Sequence, residues 1–243
     1  MAATSAAVAA TRSRTAKLAA LADLLGRLEA DEVGPTVAWL SGGARQGRIG
    51  VGWATVADAT GASRPGEPAA AAEVDAGPET EPTLTIADVD AAFDRLAAHG
   101  GAGSAAARRR DLQALLDRAT APEADLLWRL LVGELRHGAL EGLVTDAVAR
   151  AEGVASAELR RAAMLAGDLP TVAVLARTHG AAALADVRLR VLRPVSPMLA
   201  ATAADVAAAL ETTGPASVEW KLDGARIQAH RAGDEVRLFT RNL

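Results

Sequence analysis

Leucines recur at three- and four-residue steps in TAKLAALADLLGRLE, residues 15–29, so Leu18, Leu21, Leu25 and Leu28 fall on one face of a helix. A second short helix follows over about 31–40. Helical spacing returns at Ile86, Val89, Phe93 and Leu96. A longer helical block runs from Ser104 to about Ala151, broken near Ala121-Pro122, where proline suits the first turn of a new helix. Further helices are expected at 156–166, with Ser156 as cap, and at 168–176.

After Asp186 the period changes. VRLRVLRPVSPMLA carries two prolines and β-branched residues, and a short helix is expected around Asp205 to Glu211. SVEWKL, ARIQAHR and EVRLFT then alternate as strands do, joined by turns at Asp223-Gly224 and at AGD, which predicts three antiparallel strands. Three strands make an incomplete core. The expectation is a longer parent protein, of which this chain is a truncated or partial product.

Two stretches interrupt the pattern. Gly42, Gly43, Gly47, Gly50 and Gly52 in SGGARQGRIGVGW forbid regular helix. The GK[ST] ending of a nucleotide P-loop is absent, which leaves a structural turn or a contact to a DNA backbone. From Gly61 to Pro82 four prolines and little that packs predict a flexible loop or linker.

Composition sharpens this picture. Hydrophobic residues make up 50% of the 243, but aromatics only 2%, so burial must come from Leu, Val and Ala on helices. The formal charge of −4 argues against a general polyanion binder and makes any nucleic-acid contact local. Candidate basic clusters are Arg45 with Arg48, Arg108 to Arg110, Arg136 with His137, and Arg160 with Arg161; such clusters are more often solvated helix faces, and Arg136, bracketed by Gly133, Gly138 and Gly142, is the better candidate for a phosphate contact. Zero cysteines exclude disulfides and thiolate chemistry, and four scattered histidines disfavour a zinc site. No run approaches about 18 uninterrupted apolar residues, so a cytoplasmic protein without a membrane partner is expected.

Of the 26 basic residues only Lys17 and Lys221 are lysines. Lysine can be neutralised by its surroundings and then act as a nucleophile, whereas arginine stays charged. On a strand, Glu219 and Lys221 share one face, Asp223 and Gly224 make the turn, and Arg226 opens the next strand. Spacing alone also fits an ordinary Asp-Gly hairpin with exposed charges.

KLDGAR, residues 221–226, fits KxDGxR, the lysine motif of covalent nucleotidyltransferases: ATP- and NAD-dependent DNA ligases, RNA ligases and mRNA capping enzymes. EWKLDGARIQ followed by LFTRN especially resembles ATP-dependent DNA ligases. GELRHGALEGLVTDAVA, residues 133–149, is similar to a stretch of the helical DNA-binding domain that precedes the catalytic domain in that family, and SGGARQGRIGVGW and RPVSPMLA also look like their counterparts there. RNA ligases and capping enzymes lack that helical domain. The likeness covers most of the chain and is nearest to the actinobacterial type.

The resemblance implies a multidomain α and α+β protein. Residues 1–188 would form an all-α DNA-binding domain, with 61–82 a loop within it. Residues 189–243 would supply the first antiparallel strands of an adenylation domain. It implies ATP and Mg²⁺, nicked double-stranded DNA as partner, and a monomer. Lys221 would be the catalytic nucleophile, while Glu219, Arg226 and Arg241 would bind the nucleotide or the nicked 5′ end; metal ligands are expected outside this stretch, and Asp223 would organise the turn. Two other readings stay open: a noncatalytic DNA-binding module, and an NAD-dependent ligase.

Overall fold

The computed structural model describes residues 1–47, 49–52, 55–56, 81–133, 135, 141–197, 202–220 and 223–240. Among them are α1 (Ala2–Ala10), α2 (Arg14–Gly26), α3 (Ala30–Leu40), α4 (Ile86–Ala98), α5 (Ser104–Leu116), α6 (Ala121–Leu131), α7 (Glu141–Ala151), α8 (Ser156–Ala166), α9 (Leu169–Ala185) and α10 (Val206–Thr213). One antiparallel hairpin follows, β1 (Gln228–Ala232) and β2 (Glu235–Phe239). The expected class, helices and then the first strands of a β-containing unit, is what the chain adopts.

Helix ends are set by local chemistry. The Ser13, Asp168 and Asp205 side chains accept from backbone N–H groups that no intrahelical carbonyl can reach. Thr85 with Asp88, and Thr120 with Glu123, form reciprocal capping boxes on α4 and α6, and Pro122 sits in the first turn of α6 as expected. Ser156 is not the cap of α8. Ala155 holds that position, and the Ser156 hydroxyl donates to Asp146 on α7 instead.

Two cores form. In one, apolar faces of α2, α7, α8 and α9 close on Val33, Val37 and Leu40 of α3, with Val8 of α1 beside them. In the other, α4, α5 and α6 close on Trp39, whose ring meets Phe93 edge-on at 5.8 Å. Helix α3 therefore serves both cores, and it lies close against α9: a Cβ added at Gly34 would stand 3.3 Å from Val174.

Arginines tie the helices together. Arg177 on α9 donates to both oxygens of Glu152, at 2.7 and 2.8 Å, and to the carbonyls of Leu25 and Leu28 at the end of α2. Asp146 accepts from Ser156, Arg160 and Arg14, which links α7 to α8 and α2. Burial alone would raise its pKa. Hydrogen bonds from Ser156 and Arg160 and the positive charges of Arg160 and Arg14 outweigh that and hold it below the ordinary carboxylate value.

Differences from the expected elements have physical causes. Helix α9 continues well past residue 176: glycine at 180 lets the backbone break there (φ 68°), after which the helix resumes and Leu184 is buried. Residues 217–220 form no strand, so the sheet has two strands rather than three among the described residues. Alternation makes a segment competent for a sheet, but only a neighbour with free backbone groups makes it a strand. Residues 61–80 of the expected linker lie outside the described residues.

Candidate functional site

Lys221 and Arg241 lie outside the described residues, so the site is read from the backbone and side chains around them. Glu219 is exposed, and its carboxylate accepts from the Ser217 hydroxyl at 3.3 Å. Asp223 is exposed, and its carboxylate accepts from the Gly224 N–H at 3.1 Å. Gly224 has φ 152°, within the positive range that favours glycine. Asp223-Gly224 does not join two paired strands as expected, because residues 217–220 form no strand.

Arg226 is exposed, and no hydrogen bond or ion pair joins it to Glu219 or Asp223. Trp220, between the two site positions, is 92% exposed. The structure thus sets Glu219, Asp223 and Arg226 along one solvent-facing stretch without gathering them into a closed pocket. Two surface grooves lie elsewhere, one between α4 and α5 beside Arg95 and Arg118, the other between α3 and the start of α9.

The hairpin after this stretch is held by contacts that sequence reasoning missed. On β1, Gln228 and His230 share one face. The Gln228 carboxamide accepts from the Val195 N–H at 2.9 Å and donates to the Val195 carbonyl at 2.6 Å. His230 Nδ1 accepts from the Leu192 N–H at 3.1 Å, while its ring meets Phe239 edge-on at 5.2 Å. The signal was present in ARIQAHR as two hydrogen-bonding side chains two residues apart, but their partners lie more than 30 residues back.

Several arginines of the basic clusters considered for a DNA backbone are engaged within the chain. Arg45 donates to Asp90 and Asp94 on α4, and those two carboxylates raise its pKa. Arg108 turns inward over Gly50 and donates to the carbonyls of Leu96 and His99, closing the end of α4. Arg160 bonds Asp146, and Arg161 donates to the carbonyls of Leu184, Ala185 and Val187. Arg110 stays exposed without a recorded partner, as does Arg95. Arg48, Arg136 and His137 lie outside the described residues. Among the described residues, no group of three or more His, Asp or Glu is placed to hold a metal ion, and no helix is long and apolar enough to cross a membrane.

Comparison with known proteins agrees with the motif. Residues 1–149 match the family model described as DNA ligase N terminus, and residues 197–243 match the ATP dependent DNA ligase domain. A probable DNA ligase of Anaeromyxobacter dehalogenans strain 2CP-1 is 58% identical over 240 residues, covering 98% of this chain and 44% of that protein. Probable DNA ligases of Pseudarthrobacter chlorophenolicus and Rhodococcus opacus strain B4 are 55% and 53% identical, covering 98% and 99% of this chain. The chain spans less than half the length of these curated relatives, 44% and 45% for the latter two.

Proposed function

The chain belongs to the ATP-dependent DNA ligase family, and from that premise we propose that it carries the nucleotide-attachment lysine of an enzyme that seals nicks in duplex DNA. The observation that carries the reading is KLDGAR at 221–226, inside the stretch that matches the ATP-dependent ligase domain. In this reading residues 1–188 are the helical DNA-binding domain and 189–243 the opening of the adenylation domain. The protein acts as a cytoplasmic monomer.

The chemistry follows from what an uncharged lysine can do. Neutral Lys221 Nζ attacks the α-phosphorus of ATP, a P–N bond forms, the bond to pyrophosphate breaks, and a lysyl-AMP results. Glu219 binds the adenosine portion, and Arg226 and Arg241 contact the nucleotide or the nicked 5′ end. The AMP then passes to the 5′-phosphate at a nick, and the 3′-hydroxyl displaces it. Glu219 and Asp223 are too few to cage Mg²⁺, which fits an ion held mainly by phosphate oxygens and water. Such an ion would neutralise phosphate charge during in-line displacement.

Arg95, Arg110 and Arg150, exposed and without a hydrogen-bond or ion-pair partner, are the described helical arginines best suited to sequence-independent phosphate contacts. A second reading, a noncatalytic DNA-binding module, is favoured by one observation: no described residue after Leu184 is fully buried. Incubation with α-labelled ATP and Mg²⁺ separates the two. A covalent AMP adduct that is lost in Lys221→Ala supports the lysyl-AMP reading, and DNA binding with no adduct supports the module. These 243 residues are not expected to seal a nick unaided, and sealing by the isolated chain would refute that part of the proposal.

A further inference from the structure

The segment between the helices and the hairpin is short of hydrogen-bond donors. In Pro194-Val195-Ser196-Pro197 the two prolines have no N–H, which leaves Val195 and Ser196 as the only backbone donors. The two point to different partners. Val195 donates to Gln228 on β1, whereas Ser196 donates to the Met164 carbonyl on α8 at 3.0 Å. Just upstream, Leu192 is the one described non-glycine residue with positive φ, 67°, and its N–H is spent on His230. Arg161 of α8 meanwhile collects three carbonyls where α9 gives way to the same segment, those of Leu184, Ala185 and Val187.

The linker is therefore bonded along one side to α8 and along the other to β1. Gln228 satisfies both backbone groups of Val195, as a neighbouring strand would, and an unusual Leu192 backbone is retained because His230 accepts its N–H. Proline at two of the four positions lowers the conformational freedom lost in holding the segment so. β1 begins seven residues after Lys221, with Asp223-Gly224 between them.

We propose that Gln228 and His230 are positioning residues: bonded to the linker at Val195 and Leu192, they set the orientation of the β1–β2 hairpin, which follows the Lys221 motif in sequence, relative to α8 and the helical region. The inference rests on the reading of Lys221 as the nucleotide-attachment residue for its functional meaning, but its physical content is separate. The chain has no cysteine, so Ala157→Cys on α8 and Asp234→Cys in the hairpin turn, both exposed positions, accept a spin-label pair without background.

Electron–electron distance measurement on the full 243-residue chain should give one narrow distribution. Gln228→Ala combined with His230→Phe, which keeps an aromatic ring against Phe239, should broaden it. Hydrogen exchange at the Leu192 and Val195 amides should quicken by about tenfold, the change for losing one ordinary hydrogen bond, while the Ser196 amide, bonded to α8, keeps its rate. His230→Asn, whose side-chain oxygen replaces Nδ1 as acceptor, should restore slow exchange at Leu192, and a simple loss of folding would not be rescued in this way. A narrow distribution in the double variant, or unchanged exchange at both amides, overturns the proposal. The AMP adduct is read on the same samples: its absence from the parent chain sinks the lysyl-AMP reading alone, and its presence beside an unmoved distance sinks the positioning role alone.

Discussion

Among the described residues, every buried apolar side chain of the core lies between Val8 and Leu184, and every large apolar side chain left exposed lies between Leu189 and Leu238. The helical region and the stretch after it share a composition but not a solution to burial. Helices satisfy their own backbone, so nine of them need only bring apolar stripes together, and α1 to α9 do so within two closed cores. A hairpin needs other strands or a packed layer to bury a face. Here Ile227, Val236 and Leu238 stay exposed on one face, while the opposite face, with Gln228, His230 and Phe239, leans on the linker. The helical region is held mainly by packing and the hairpin by a few polar bonds.

That contrast is most sharply broken or upheld by deleting apolar bulk on either side of it. Phe93→Ala should cost about 3–5 kcal/mol of helical-region stability in urea, whereas Leu238→Ala should shift the same transition by no more than about 0.5 kcal/mol. A large effect of Leu238→Ala would mean that the hairpin shares a core with the helices. Next in size, Arg177→Met leaves the buried Glu152 carboxylate without its partner and should cost about 3 kcal/mol in the same assay.

A smaller effect tests the local caps. The Asp88 carboxyl is held down to about 2, first by the Thr85 backbone N–H and then by Arg118. A depressed folded-state pKa gives stability that is fully present above the unfolded value of 3.8 and is lost as pH falls through about 2. Asp88→Asn should therefore cost roughly 0.5–1 kcal/mol at neutral pH and flatten the acid limb of a stability–pH profile. Smallest of all, a chain ended at residue 197 should unfold within about 0.5 kcal/mol of the whole. A larger loss would show that the hairpin stabilises the helices as well as leaning on them.

What could be read from the sequence was whatever is decided locally. Of the two predicted stripes, Leu21, Leu25, Leu28 and Val89, Phe93, Leu96 are buried as their spacing predicts, while Leu18 and Ile86 at the leading ends are only partly buried against the core. Helix α1 escaped notice because it is mostly alanine, with Val8 its one large apolar side chain in the core. The helix expected at 168–176 runs on to Ala185 across a break at Gly180. SVEWKL alternates like a strand, but strand formation depends on a neighbour that alternation cannot supply. The inward turn of Arg108 and the three-way use of Asp146, whose partner Arg14 is 132 positions away, depend on contacts that no local window contains. At the candidate site, the residue types were legible from KLDGAR, while the grip of Gln228 and His230 on the linker was not.

Helix α3 is a party wall. Val33 and Val37 furnish the room on one side, Trp39 the room on the other, and Gly34 lets that wall stand flush against α9. A bulkier residue at Gly34 would shift the wall itself, so the disturbance would be felt around Phe93 as well as beside Val174, in neighbours that never touch each other.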